Sequence, residues 1–274
     1  MMALRLLDIE WFKTRHRIVF WVTSGFFASM FLLFLGITQY RHAAGLDERP
    51  FTLPRDWLSL LQGPGGLAVL LVTVAVVLLV ASEQAWRTQR QNVIDGLSRG
   101  QFFSGKLLLA LLLVLIYWIT PIVMGLVFAI FDGRPGYTDG TGPLLPATML
   151  QAYAGFFVHL LATAAQAFMF AILASSSGAA LALTFVFSIA QLPILLLLAS
   201  RAEYWIGIAR RAPAMVFDQL TNPGTWDSDR LAQLNESRQG LPPLLPGGEA
   251  VALAFAYTAL FVGIGWLAFR RRDL

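Results

Sequence analysis

Residues 107–131 read LLLALLLVLIYWITPIVMGLVFAIF, an unbroken run without one charged side chain. As a helix it extends about 37 Å, more than the about 30 Å hydrocarbon core of a bilayer. Working outward, five further stretches are apolar enough to cross: 18–39, 65–81, 149–174, 178–199 and 250–269. The expected fold is an all-α integral membrane protein with six transmembrane helices, a single transmembrane domain over residues 1–274. The first span is expected to stay attached, since its apolar run is too long for a signal peptide and no Ala-x-Ala type cleavage site follows it. No internal repeat is evident, so an inverted-repeat carrier gains no support.

Composition agrees. Of 274 residues, 57% are hydrophobic and 13% charged, against about 25% charged in an ordinary soluble domain. Cysteine is absent, which excludes disulfides, thiolate metal sites and thiol nucleophiles. The three histidines, His16, His42 and His159, lie far apart in segments of different character, so no histidine metal centre is expected. The net charge of +4 sits in clusters flanking the apolar runs, the distribution of a membrane protein and not of a nucleic-acid binder.

Those clusters orient the chain. Arg5, Lys13, Arg15, Arg17, Arg87, Arg90, Arg99, Lys106, Arg270, Arg271 and Arg272 fall on the side of the two termini. The remaining Lys and Arg residues are spread over longer loops opposite, and the positive-inside rule places both termini and the 83–106 loop in the cytoplasm. Trp21, Trp86 and Trp266 fall near cytoplasmic ends, Trp57 and Trp205 near outer ends, where an indole buries its ring and keeps its N–H wet. Trp118 is mid-span and is read as packing on a neighbouring helix.

The spans hold almost no ionisable groups. His159, in the fourth, stands alone between the predicted ends. It is read as a neutral imidazole hydrogen-bonded inside the bundle, so no gradient-coupling ion site is expected. Ala167, Ala171 and Ser175 form a small-xxx-small row suited to close packing, in a dimer or along a path. Pro121 and Pro193 are expected to bend the third and fifth spans. Enzyme readings fare poorly. Ser175 to Ser177 are too far along the helix from His159 for an activated serine. Residues 100–106 (GQFFSGK) match the start of a phosphate-binding loop, but Leu107 replaces the Mg²⁺-binding Ser/Thr and the segment runs into a span.

The informative surface is the hairpin between spans two and three, residues 83–106. Its first half lacks Gly and Pro and can extend the second span into the cytoplasm. On a helix Arg90, Val93, Ile94 and Leu97 share one side, Gly96 allows a turn, and Phe102 and Phe103 begin the return. The near-terminal segment has Leu4, Leu7, Trp11 and Phe12 at helical spacing, with Lys13, Arg15 and Arg17 beside them. It reads as an interfacial helix over 3–15.

The Glu, Arg-Thr, Asn-Val-Ile-Asp-Gly-Leu-Ser-Arg and Gly-Lys elements of 83–106 resemble the hairpin of type 2 ABC exporter permeases of the bacitracin-resistance and lantibiotic-immunity kind. Residues 9–15 (IEWFKTR), with Glu10, Trp11, Lys13 and Arg15, resemble the interfacial helix of that family. Residues 269–274 (FRRRDL) are similar to its Arg-Asp-Leu finish. The resemblance implies a non-catalytic transport subunit in the inner (cytoplasmic) membrane of a bacterium, paired with a second permease copy or paralogue. It implies an ATPase dimer on the cytoplasmic face, with ATP and Mg bound there and no cofactor in this chain. Carried over, the coupling helix in contact with the ATPase comprises Arg90, Gln91, Asn92, Val93, Ile94, Asp95, Leu97 and Arg99. The uncharged spans favour amphipathic or hydrophobic cargo over a small ion. A scaffold or sensor with a non-ATPase partner, and an enzyme built on His159, are the competing readings.

The outer loop 200–248 matches no motif. Tyr204, Trp205, Ile208 and Ala212 suggest a short helix lying on the outer surface, which either caps an exit path or shields a dimer.

Overall fold

The computed structural model describes residues 2–46, 51–53, 55–85, 98–131, 146–174, 176–202, 204–238 and 241–271. Among them the secondary structure is helical: α1 (Met2–Arg15), α2 (Ile18–Ala43), α3 (Trp57–Gln62), α4 (Gly66–Ala85), α5 (Arg99–Phe131), α6 (Ala147–Leu173), α7 (Ser177–Ala199), α8 (Tyr204–Arg211), α9 (Pro213–Gln219), α10 (Ser228–Ser237) and α11 (Gly247–Arg271). A 3-10 turn, Pro223–Trp226, precedes α10. Helices α2, α4, α5, α6, α7 and α11 supply the six spans, with α3 extending the apolar stretch of α4. Backbone groups have no water to bond in hydrocarbon, so apolar runs of this length close their own hydrogen bonds as helices.

The bundle is built round α6. Within the chain, 72% of its most apolar stretch is buried, against 6% for α7. Helices α4, α5, α7 and α11 all touch it, and α2 lies beyond, on α4 and α5. Small side chains allow this: Ala152, Ala162, Ala164, Ala167 and Ala171 are buried on α6 and let neighbouring helices approach. Pro121 and Pro193 lie inside α5 and α7, both of which continue past them.

Helix α5 starts two turns earlier than the apolar run, at Arg99 and not at 107. The Ser98 N–H donates to Gln101 Oε1 (2.7 Å) and the Gln101 N–H to Ser98 Oγ (3.2 Å), a capping box that fixes the start. Phe102 and Phe103, both buried, then bind this added length to the bundle.

Trp57 departs from its expected place in an interfacial belt. It is fully buried, edge-on to Tyr153 with ring centroids 5.7 Å apart. A break at 63–65 turns α3 inward, where Gly125 leaves room for the indole: a Cβ there would stand 2.7 Å from the ring. Trp118 packs as expected, edge-on to Phe157 at 5.4 Å, its N–H donating to the Tyr153 carbonyl at 2.8 Å. Trp86 lies outside the described residues.

The segment after α7 also departs from expectation. Helix α8 includes the expected Tyr204, Trp205 and Ile208 and lies against α7, and α9 packs on α6, α7 and α11. The Ala214 N–H donates to Gln191 Oε1 (3.0 Å), and the Tyr257 hydroxyl donates to the Arg211 carbonyl (2.7 Å). Gln191 is about 12 Å from the end of α7 and Tyr257 about 15 Å from the start of α11. The turn between α8 and α9 is therefore re-entrant, with side chains from two spans satisfying its backbone. Pro213, first in α9, brings no N–H to satisfy. The returning chain then presses on α6: a Cβ on Gly155 would stand 1.8 Å from the Leu220 carbonyl oxygen.

This contact yields a direct test. Gly155→Ala must push α9 off α6 and is expected to cost about 1–3 kcal/mol, as overpacking does, read as a lower melting temperature. Gly25→Ala, where a Cβ meets nothing within 4 Å, is expected to be neutral or slightly stabilising through helix propensity. Equal melting temperatures for the two variants would remove Gly155 from its assigned role.

Candidate functional site

At the end of the bundle that carries the termini, three elements converge on the first turns of α5. Of the hairpin residues singled out in the sequence, Arg90, Gln91, Asn92, Val93, Ile94, Asp95 and Leu97 lie outside the described residues. Arg99 is described, and its Nη1 reaches the Arg270 carbonyl at 3.4 Å, joining the start of α5 to the end of α11. Phe102 stacks on Phe269 (5.8 Å), and Phe103 meets Trp266 edge-on (5.0 Å) and Phe168 of α6 likewise (5.2 Å). The hairpin thus returns into an aromatic joint shared by α5, α6 and α11.

The third element is α1. The Glu10 carboxylate pairs with the Lys106 ammonium, with Lys13 Nζ 3.7 Å from its other oxygen. Glu10 is 6% exposed and Lys106 2%. A pair this dry needs both members, because removing one strands a charge. The Phe102 ring lies 5.5 Å from the Lys106 nitrogen and adds a cation–π contact. Lys106, read in the sequence as an orienting charge and as part of the GQFFSGK and Gly-Lys runs, is therefore the α5 anchor for α1. The signal was a lone lysine directly before an apolar run, but its partner, 96 residues away, could not be read there. The lysine of the loop-like GQFFSGK run thus faces a carboxylate from inside a helix, and no phosphate-binding loop forms.

The rest of α1 packs at the start of α2 and leaves apolar surface exposed. Trp11 meets Phe20 edge-on at 5.2 Å, Arg15 covers the Phe12 ring at 4.6 Å, and Phe12 is 56% exposed. Arg17 Nη1 donates to Ser82 Oγ at 2.6 Å, tying the start of α2 to the end of α4. Ala167 and Ala171 have no exposed surface and pack within the chain's own core, while Ser175 lies outside the described residues.

The opposite end holds a polar cavity of about 520 Å³ between α4, α6, α7 and the re-entrant segment. His159, Thr163 and Gln166 line it from α6, Ser188 and Gln191 from α7, and Gln219 from α9. Gln166 Nε2 donates to Ser188 Oγ at 2.8 Å. His159, expected to be hydrogen-bonded in the bundle, has a buried Nδ1 without a partner among the described residues, its ring 6.1 Å from Phe217. The reason is its surroundings: Nδ1 is buried, and the neighbouring Phe217 ring offers it no hydrogen-bonding group. A second cavity, of about 290 Å³, is apolar and lies between α5, α6 and α11, lined by Leu107, Leu111, Leu161 and Val262.

No curated protein matches the chain. The family described as "ABC-2 family transporter protein" matches residues 6–191, from within α1 to within α7. That match covers well over half of the 274 residues, and the six apolar helices agree with it. This chain accordingly belongs to the ABC-2 transporter family, as a multi-pass membrane permease subunit of an ABC transporter, the kind of subunit that works with an ABC ATPase.

Proposed function

We propose that this permease is the membrane subunit of an ATP-driven exporter of amphipathic or hydrophobic cargo, with its termini and the 83–106 hairpin in the cytoplasm. A separate ATPase dimer sits on that hairpin, and ATP and Mg bind there, outside this chain. The protein lies in a bacterial inner membrane as a pair, with a second copy or a paralogue.

The observation that supports this most is how α5 leaves the hairpin. Its first two turns are held on one side by the Glu10–Lys106 pair and on the other by Arg99–Arg270 and the Phe102–Phe269 stack. A displacement of residues 90–97 by a closing ATPase would not be absorbed in a loose loop. It would move α5, α1 and α11 together, while Phe103 on Phe168 passes it to α6. Such a device needs no ion site in the spans, because the work enters from outside. The apolar outer faces of α2 and α7, with Ile18 76% and Ile189 69% exposed, are available to lipid and to the second permease.

Two measurements test the reading. Purified in a mild detergent, the chain is expected to retain its ATPase, and the pair of charge reversals Arg90→Glu and Arg99→Glu to lower retention at least ten-fold. A chain that never holds an ATPase, with or without the reversals, contradicts the proposal. Separately, Lys106→Met strands Glu10 and is expected to cost about 3 kcal/mol, seen as a lower melting temperature, with most of the loss recovered in Glu10→Met/Lys106→Met. A silent single variant would show that α1 is not anchored through this pair.

A further inference from the structure

The cavity at the end remote from the hairpin is set apart by its chemistry. Its wall is polar and carries one charge of each sign, Asp218 and Arg238, and much of the rest is deeply placed: Gln166 is 2% exposed, Gln219 4% and Thr163 6%. Gln219 Oε1 accepts from the Leu245 N–H at 2.8 Å, and its Nε2 has no partner among the described residues. Arg238 Nε, at the mouth, is likewise an unpartnered donor. Ser188 Oγ accepts from Gln166, which leaves its own O–H to donate. Buried donors without partners cost about 1–3 kcal/mol each, so a ligand that supplies acceptors recovers that energy. Phe156 and Phe217 present rings to the same space.

We propose that this cavity, inside a single protomer, receives the neutral polyhydroxylated head of an amphiphile, a sugar head group on an apolar tail. The inference rests on the reading of the chain as a transport subunit for amphipathic cargo and names the head it selects. A head of either charge would meet one unlike and one like charge, Asp218 and Arg238, so it gains no net counter-charge and would be costly to bury. A peptide backbone brings as many donors as acceptors, whereas the unmatched amide and guanidinium groups here are donors. A sugar supplies many oxygen acceptors and an apolar C–H face for the two rings. The volume of about 520 Å³ falls within the about 300–1,000 Å³ typical of small-molecule sites.

The absence of cysteine makes the test clean. Ser188→Cys places a single thiol in the cavity of the full chain, held in nanodiscs without nucleotide or ATPase. Saturating dodecyl maltoside is expected to slow its modification by a charged methanethiosulfonate reagent at least ten-fold. Dodecyl sulfate and dodecyl trimethylammonium, with the same tail, are expected to change the rate less than two-fold. Adding Gln219→Leu or Thr163→Val to this background is expected to raise the half-protecting maltoside concentration about ten-fold, the equivalent of one lost hydrogen bond. The second variant conserves volume if the first lowers the melting temperature. Absent protection by maltoside, or equal protection by all three amphiphiles, overturns the proposal. Because no ATPase is present, neither result depends on the hairpin docking proposed above.

Discussion

Everything in this bundle depends on α6 being thin enough to be surrounded. In a bilayer, apolar helices gain little from leaving lipid for one another, so association relies on close van der Waals contact and on a few hydrogen bonds. The buried alanines of α6 and the bare backbone at Gly155 provide that closeness. Helices α4, α5, α7 and α11 can all reach one axis because nothing bulky holds them off. Of the larger groups that α6 does carry, Tyr153 meets Trp57 where α3 breaks from α4, and Phe168 meets Phe103 of α5.

The same constraint explains the polar cavity. A re-entrant turn survives at membrane depth only when its freed backbone groups find partners in protein. Gln191 and Tyr257 serve the turn at 211–214, and Gln219 serves the Leu245 N–H on the way into α11. Gln191 and Gln219 also face the cavity, so the groups that make the re-entrant fold possible give that cavity its hydrogen-bonding wall. Support of the backbone and recognition of a polar ligand would share residues here.

The two ends of the bundle are built differently. One end gathers α1, α5 and α11 into a stiff joint beside the hairpin, with a buried ion pair and stacked rings as its fasteners. The other end carries the segment after α7 folded back onto the bundle, with Arg210 Nη2 and Asn235 Nδ2 both donating to the Leu244 carbonyl to hold it there (3.3 and 3.4 Å). Helix α6 runs between them, touched by Phe103 near one end and by Leu220 near the other.

Six spans, a helix at 2–15 and the resemblance to a type 2 ABC permease were legible in the sequence, because hydropathy and short motifs are local properties of consecutive residues. Span ends were less legible. Helix α5 outran its apolar stretch because the capping box at Ser98 and Gln101, not hydropathy, sets where it starts. What tertiary structure alone decided are meetings between residues far apart in the chain: Glu10 with Lys106, Trp57 with Gly125 and Tyr153, Leu220 with Gly155. The re-entrant course of 204–219 belongs to the same class. Amphipathic spacing promised a short helix there, but whether it lay flat or plunged depended on partners waiting on α7 and α11. Local pattern determines which segments are helices that can cross a membrane; which polar and bulky groups meet across those helices is settled only when their surfaces are packed together.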